Sequence, residues 1–135
     1  MIVLIVEDEP LIAGNLALVL EAAGHAVIGP APSSAVAIAL AQHSQPDLAL
    51  VDINLDGRPD GVKLARALQL LGIPSVFMSA QHALAFANRD AALGFIEKPY
   101  SAANVCESLE VVDAMLNGYT PPARTGVLEL FSQTQ

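Results

Sequence analysis

Short apolar runs alternate along this chain with longer stretches in which apolar residues recur every three or four positions. The short runs have the length and the β-branched content of strands that are buried on both faces of a sheet. We place four of them at residues 2–6, 26–29, 48–51 and 74–78, and a fifth strand begins at residue 95 and ends before Pro99. The spacing of the runs leaves room for a helix after each strand.

The longer stretches predict five helices, each of which starts at a residue suited to a helix N-terminus and stops near a glycine, a proline or the next strand. They run from Pro10 to the residue before Gly24, from Ser33 or Ser34 to the residue before Pro46, from a cap at Asp60 through residue 71, from about residue 82 to 93, and from a cap at Ser101 through residue 117. In the first helix, Ile12 belongs to the predicted buried face.

Strand and helix alternate five times, which predicts an α/β fold with a five-stranded parallel sheet and helices on both faces. The count fits a doubly wound, flavodoxin-like three-layer sandwich of strand order 2-1-3-4-5, although periodicity alone does not give the order. We expect this domain to cover residues 1–118 and to be followed by a tail, residues 119–135, with no output domain. The apolar patch at 127–131 leaves three fates open for the tail: packing on the domain, packing on a partner, or remaining mobile.

Composition narrows the class of protein. The 135 residues carry a formal net charge of −8 with only six basic residues, which argues against direct nucleic-acid binding because phosphate backbones require clustered Lys and Arg. No apolar run approaches the ~18–20 residues of a membrane-spanning helix, and the N-terminus lacks the pattern of a signal peptide. The single cysteine, Cys106, cannot form an internal disulfide. These features predict a cytoplasmic protein that does not meet membranes.

Polar groups stand at or just past the carboxyl ends of four predicted strands: Glu7 with Asp8, Asp52, Ser79 and Lys98. Because the carboxyl ends of parallel strands lie at one edge of a sheet, we expect these side chains to meet there. Clustered carboxylates repel one another and are held together best by a hard cation. The pattern therefore predicts a site that binds Mg²⁺ and a phosphate group.

Each of these residues also has a purely structural interpretation. Asp52 is a candidate nucleophile, since a carboxylate can attack phosphorus, but an aspartate after a strand also caps turns. Glu7 and Asp8 are candidate Mg²⁺ ligands, yet acidic residues are frequent just before helices. Ser79 and Lys98 can bind phosphoryl oxygens, whereas a single serine there is usually a cap and a single lysine is usually solvated. The coincidence of all five at one edge favours the functional interpretation.

Four segments together resemble the response-regulator receiver domain of two-component signalling. They are VEDEP at 6–10, LVDINLDG at 50–57, MSA at 78–80 and GFIEKP at 94–99, in that family's order and spacing. The resemblance covers about residues 1–118 and implies the five-stranded doubly wound sheet described above.

The resemblance also implies a role for each matching residue. The implied Mg²⁺ ligands are Asp8, Asp52 and the backbone carbonyl of Asn54, with Glu7 holding one of the metal's waters. The implied phosphoryl group sits on Asp52 and is bound by Ser79, the backbone amide of Ala80 and Lys98. Phe95 occupies the family's aromatic switch position and acts with Ser79, although packing in the core explains this phenylalanine equally well.

The chain departs from the common pattern of that family at four places. Glu7 stands where aspartate is commoner, and Asp56 replaces the usual proline four residues after the phosphoacceptor. Gly61 comes one residue later than is typical, and Phe95 lacks the hydroxyl of the tyrosine often found there. The nucleophile is unaffected, whereas the geometry of the loop after Asp52 stays open.

The resemblance implies a signalling switch rather than an enzyme, whose phosphodonor is a sensor histidine kinase or a histidine phosphotransfer protein. We expect a stand-alone receiver that acts through protein contacts. A docking surface on the first helix is favoured by four apolar residues on its predicted outer face: Leu11, Ala17, Leu18 and Ala22. The last helix and the tail offer surface for a homodimer, which nothing in the sequence requires.

Three other functions compete with this one. A phosphatase or phosphotransferase with an aspartate nucleophile typically requires D-x-D after the first strand, which residues 7–9 do not supply. A flavin-binding domain would need a phosphate loop rich in hydroxyls or glycines, where this chain has repelling acids. A pseudo-receiver that only binds partners is disfavoured by the complete set of site residues.

Overall fold

A computed structural model describes residues 1–55 and 57–131 of the chain. Asp56, the substitute for the usual proline, lies outside the described residues, as does the end of the tail from residue 132 onward. The described chain forms one seven-stranded sheet with helices on both faces, and the strands, counted along the chain, lie in the order 2-1-3-4-5-7-6. The predicted α/β class and the order 2-1-3-4-5 are confirmed.

The elements follow the predicted alternation, and the two additional strands come from the tail. The strands are β1 (Ile2–Val6), β2 (Ala26–Ala31), β3 (Leu48–Asp52), β4 (Ser75–Ser79), β5 (Gly94–Glu97), β6 (Arg124–Thr125) and β7 (Leu128–Leu130). The helices are α1 (Pro10–Ala22), α2 (Ser34–Ser44), α3 (Asp60–Leu70), α4 (His82–Ala87) and α5 (Ala102–Leu116), with a short 3₁₀ helix at Arg89–Ala91 between α4 and β5. Among the described residues, no helix is both long and apolar enough to cross a membrane.

The first five strands are parallel, and their register brings the predicted site residues to one edge. Asp52 of β3 lies beside Met78 of β4, and Ser79, the last residue of β4, lies beside Glu97 of β5. β1, β3 and β4 are buried almost throughout because helices cover both of their faces. Helices α1 and α5 pack on one face, and α2, α3 and α4 pack on the other.

Helix ends follow local chemistry, with one correction to the sequence prediction. Ser33 caps α2 through a hydrogen bond from Val36 N, and Ser101 caps α5 in a reciprocal capping box with Asn104. Asp60 does not cap α3 as predicted: it is the first helical residue, and the preceding proline takes the cap position. An aspartate in the first turn still interacts favourably with the helix dipole.

Helix α4 is shorter than the predicted stretch of 82–93. It ends at Ala87 because Asn88 bonds locally, its side-chain amide donating to the Leu84 carbonyl at 3.0 Å. Arg66 of α3 then donates to Asn88 Oδ1 at 3.2 Å and to Asp90 Oδ2 at 3.1 Å. These polar contacts hold the chain in a 3₁₀ turn that periodicity does not reveal.

The tail corrects the five-stranded prediction, because residues 124–131 form an antiparallel hairpin that extends the sheet beyond β5. β7 pairs with β5 through Gly94, Phe95 and Ile96. Leu128 is fully buried in the main core, which lies between the sheet and helices α1 and α5. Phe131 is nearly buried on the other face, in the cluster around Phe77 and Phe95. Of the three fates left open for the apolar patch, the described part of the tail packs on the domain.

The close packing of Gly61 against the backbone after β3 leads to a prediction about stability. A Cβ atom there would lie 2.2 Å from the Asp52 carbonyl oxygen, so Gly61→Ala is expected to lower the free energy of unfolding by about 1–3 kcal/mol, the usual cost of overpacking. Urea unfolding followed by circular dichroism measures the change.

Gly14→Ala in α1 is the matched control, because its Cβ would meet nothing within 4 Å among the described residues. Alanine is the better helix former, so this variant should gain about 0.5–1 kcal/mol. A Gly61→Ala protein as stable as the control would contradict the packing of α3 on this loop.

Candidate phosphoacceptor and cation site

The site lies at the carboxyl edge of the sheet, where four strands end within reach of one another. Glu7 and Asp8 follow β1, Asp52 is the last residue of β3, and Ser79 is the last residue of β4. Lys98 follows β5 directly. The residues predicted to meet therefore all stand at this edge.

Three carboxylates form the centre of the site. One oxygen each from Glu7, Asp8 and Asp52 lies within 4.8 Å of the other two. Glu7 is only 2% exposed and Asp52 only 5% exposed, so their charges have lost most of their hydration. Concentrated negative charge in a poorly hydrated place is costly unless cations compensate it.

Lys98 supplies a positive charge directly to two of the carboxylates. Its Nζ lies 2.9 Å from Asp52 Oδ2 and 3.4 Å from Glu7 Oε1. Burial alone would lower the pKa of Lys98, but the hydrogen bond to Asp52 and the two negative charges outweigh burial and raise it. Lys98 therefore stays an ammonium over the whole physiological range.

Backbone amides hold the remaining carboxylate oxygens in place. Asn54 N donates to Asp52 Oδ1 at 3.1 Å, and Glu9 N donates to Glu7 Oε2 at 3.1 Å. Each buried carboxylate thus has one fixed backbone donor and shares the Lys98 ammonium. The orientation of Asp52 is therefore set from two sides.

One ammonium is shared by the two buried carboxylates of Glu7 and Asp52, and the raised pKa of Glu7 reflects its burial and the negative charge that remains. Burial, followed by the charge of Asp52, raises the pKa of Glu7 to about 7, against the opposing effects of the Glu9 amide and Lys98. In the absence of another cation, Glu7 therefore keeps its proton to a higher pH than an exposed glutamate does. Oxygen ligands with excess negative charge are what a small hard divalent cation selects.

Ser79 is buried, and both of its oxygens are engaged. Its hydroxyl oxygen accepts a hydrogen bond from Gln81 N at 2.8 Å, and its carbonyl accepts one from Lys98 N at 2.9 Å. Ala80 is exposed and lines a shallow pocket together with Lys98. Ser79 thus ties the end of β4 to both the lysine and the start of α4.

Phe95 is buried in the middle of β5 rather than exposed at the edge. Its ring lies against His82 of α4, with ring centres 5.1 Å apart, and stacks on Phe131 of the tail at 6.1 Å. Phe95, the residue at the predicted aromatic switch position, is therefore also a packed core residue.

Sequence reasoning missed two residues beside the site. Ile12, predicted to be buried, is 42% exposed and lines the pocket next to Lys98 with Tyr100. The Tyr100 hydroxyl is buried and has no hydrogen-bond partner among the described residues, and burial with the charge of Glu7 raises its pKa to about 12. An aromatic residue directly after Lys98-Pro99 was the available signal for Tyr100.

Glu7→Gln tests the electrostatics of the site through the pH dependence of stability. The folded pKa of about 7 exceeds the ordinary 4.5, so between these pH values the folded chain keeps a proton that the unfolded chain has released. Wild-type stability should therefore fall as the pH rises through this window, by at most about 3 kcal/mol, and Glu7→Gln should lack that component.

Urea unfolding at pH 5 and pH 8, without divalent cations, measures the difference between the two proteins. The exposed neighbour Glu9 provides the control variant Glu9→Gln, which should keep the wild-type dependence. The same pH slope in wild type and Glu7→Gln would contradict a raised pKa at Glu7.

Comparison with known proteins agrees with the fold. The family model described as the response regulator receiver domain matches residues 3–110. The transcriptional regulatory protein PdtaR of Mycobacterium tuberculosis is 34% identical over 113 residues, which cover 81% of this chain and 55% of PdtaR. The phyllosphere-induced regulator PhyR of Methylorubrum extorquens is 36% identical over 106 residues, which cover 76% of this chain and 40% of PhyR. The chain thus spans about half the length of the curated relatives it matches, or less.

Solved structures give the same result. The signal receiver domain of a modulated diguanylate cyclase from Desulfovibrio desulfuricans superposes with a TM-score of 0.72 at 35% identity, covering 86% of this chain and 97% of that one. The chemotaxis response regulator CheY4 of Vibrio cholerae gives 0.73 at 23% identity, covering 82% and 97%, and supports the fold alone. The family match over most of the chain and these relatives establish that the chain belongs to the response regulator receiver domain family.

Proposed function

We propose that this receiver accepts a phosphoryl group from a phosphohistidine onto Asp52, with Mg²⁺ as cofactor, and thereby switches its contacts with other proteins. The observation that carries the proposal is the environment of Asp52. This carboxylate is buried, oriented by Asn54 N, paired with Lys98 at 2.9 Å and grouped with two further carboxylates. A turn cap would account for the hydrogen bond from Asn54 N, but it would need neither the Lys98 ammonium nor the two further carboxylates.

The chain's own residues fit a magnesium ion. Asp8 and Asp52 would supply carboxylate oxygens, the Asn54 carbonyl would complete the protein ligands, and Glu7 would hold a metal-bound water. The raised pKa of Glu7 reflects burial together with excess negative charge at the site, and a divalent cation would neutralise that charge. When bound, Mg²⁺ would reduce the repulsion between the carboxylates and an incoming phosphoryl group.

In the transfer, an Asp52 oxygen forms a bond to phosphorus while the phosphorus–nitrogen bond of the donor breaks. The electron pair of the broken bond stays on the donor imidazole. The negative charge of the Asp52 carboxylate is then replaced by charge on the phosphoryl oxygens, so the Lys98 ammonium follows it to them. The Ser79 hydroxyl and the Ala80 amide are the further donors at this edge.

Helix α1 offers a docking surface for the phosphodonor beside the site. Leu11 is 83% exposed and Leu18 is 69% exposed, and the unexpectedly exposed Ile12 extends this apolar surface toward Lys98. Ala17, predicted to face outward, is instead half-buried against the core. We propose that a sensor histidine kinase or a histidine phosphotransfer protein binds here, because exposed apolar patches commonly mark partner sites.

The proposal also covers the bounds of the domain, its cellular location and the kinds of molecule it binds. We propose that residues 1–118 are the receiver domain, that the protein works in the cytoplasm as a switch rather than as a metabolic enzyme, and that it does not bind nucleic acid or membranes directly. The acidic composition supports the last point. A homodimer is compatible with this proposal and is not required by it.

Asp52→Ala tests the nucleophile. Wild-type protein incubated with acetyl phosphate and Mg²⁺ should gain the mass of one phosphoryl group, and the variant should gain none because the attacking oxygen is gone. Intact-mass spectrometry measures the change. Asp47→Ala, at an acid beyond the opposite edge of the sheet, is the control and should label like wild type. Equal labelling of Asp52→Ala and wild type would contradict the assignment.

Leu18→Asp tests the docking surface. The charge would oppose burial of this patch against a partner, so phosphotransfer from a histidine kinase should slow by about tenfold or more, in line with the ~1–2 kcal/mol typical of interface residues. Labelling by acetyl phosphate, which needs no protein partner, should stay unchanged.

Leu70→Asp is the matched control, because Leu70 is 89% exposed at the C-terminal end of α3. The opposite end of this helix, at Gly61, is the one that lies against Asp52. Rapid-mixing phosphotransfer assays compare the three proteins. Equal rates for Leu18→Asp and Leu70→Asp would remove α1 as the docking surface.

A further inference from the structure

The C-terminal hairpin, residues 124–131, binds the sheet at β5, the strand that leads into Lys98. β7 pairs with β5 in antiparallel register, and Phe131 N donates to the Leu93 carbonyl at 2.8 Å. Leu128 inserts into the main core, and Phe131 stacks on Phe95. The hairpin therefore covers both the edge of β5 and the ring at the switch position.

A glycine in β5 leaves room for the backbone of the hairpin. A Cβ atom on Gly94 would lie 2.3 Å from the Glu129 carbonyl oxygen, and its three nearest atoms would all belong to β7. The glycine thus allows the backbone of the tail to approach closely at that point. The close approach indicates a specific docking rather than loose contact of a mobile end.

Polar and aromatic contacts connect the hairpin to α4. Glu129 of β7 lies 3.3 Å from His82 Nε2 and also pairs with Arg124 across the hairpin. The His82 ring in turn lies edge-on against Phe95, and Phe131 contacts Phe86 of the same helix. The start of α4, the middle of β5 and the hairpin form one packed unit.

Two short routes join this unit to the phosphoacceptor edge. The Ser79 hydroxyl accepts from Gln81 N at 2.8 Å, and Gln81 directly precedes His82, the first residue of α4. The second route runs along β5, where Glu97 N donates to the Val127 carbonyl at 3.4 Å one residue before Lys98. A shift of the Ser79 hydroxyl toward a new partner withdraws the acceptor that holds the start of α4.

We propose that the hairpin is an intramolecular strap on β5 that loosens when Asp52 carries a phosphoryl group. This inference rests on the proposed function and extends it to the tail. As the Ser79 hydroxyl turns toward the phosphoryl oxygens, it releases Gln81 N, and His82 moves with the start of α4. Glu129 then loses its contact with His82 and keeps only Arg124, its partner within the hairpin. The bound and released states form a two-state equilibrium that the phosphoryl group biases. Release uncovers the β5 edge and the ring of Phe95 for other proteins.

Amide hydrogen exchange on the full chain tests the strap, before and after labelling with acetyl phosphate and Mg²⁺. Exchange in residues 124–131 should become about tenfold faster in the labelled chain, while the amides of β1 stay protected. Intact mass records the labelled fraction in the same sample. A labelled chain with unchanged exchange overturns the strap alone, whereas a chain that takes no phosphate overturns the proposed function and the strap with it.

Gly94→Ala tests the docking without phosphate. The added methyl group displaces β7, so residues 124–131 of the unlabelled variant should exchange about tenfold faster than in wild type, and labelling should add little more. Gly14→Ala in α1 is the matched control and should exchange like wild type. Wild-type protection of 124–131 in Gly94→Ala overturns the inference.

His82→Ala tests the link through α4 separately. The variant should show faster exchange in 124–131 before labelling and a smaller increase after it, since the connection to Ser79 is cut. His43→Ala, at an exposed histidine on α2, is its control. An increase on labelling that is the same in His82→Ala and His43→Ala overturns the α4 route.

Discussion

The rest of the site depends on the contacts of the Lys98 ammonium with two carboxylates. The ammonium reaches Asp52 and Glu7, two carboxylates that are almost fully removed from water, and it comes from a different strand end than either. Removing one partner from a buried ion pair leaves an uncompensated charge, which is far more costly than the loss of a surface pair. The sheet edge is therefore held together by charges that one lysine compensates only in part, which leaves the site receptive to a cation.

The carboxyl edge of the sheet is also connected to α4 and to the hairpin, so a change in charge at Asp52 can alter the structure of those elements. Ser79 and Lys98 end neighbouring strands and are joined by a backbone hydrogen bond, and each is one or two residues from a contact with α4 or with the tail. Packed elements of this kind shift between discrete arrangements rather than deforming continuously. Under the proposed function, a phosphoryl group bound by Ser79 and Lys98 would act on both routes at once.

Much of this could be predicted from the sequence because parallel strands impose geometry. Once residues 2–6 and 48–51 are recognised as buried parallel strands, Asp8 and Asp52 are expected at the same edge of the sheet. The hairpin was not predictable in this way: the patch at 127–131 is compatible with several environments, and its pairing with Gly94 is a contact between segments distant in sequence. The length of α4 depended on Asn88 and Arg66, and the exposure of Ile12 on the exact rotation of α1, neither of which periodicity determines.

Calorimetric titration of Mg²⁺ at pH 7, in two buffers with different ionisation enthalpies, tests the central claim most directly. Partial charge compensation at the buried carboxylates predicts a single site whose binding releases protons from Glu7, so that the measured heat differs between the buffers. Asp52→Asn should weaken that binding strongly. Heats that are absent, or that are identical in both buffers and in the variant, would contradict the account.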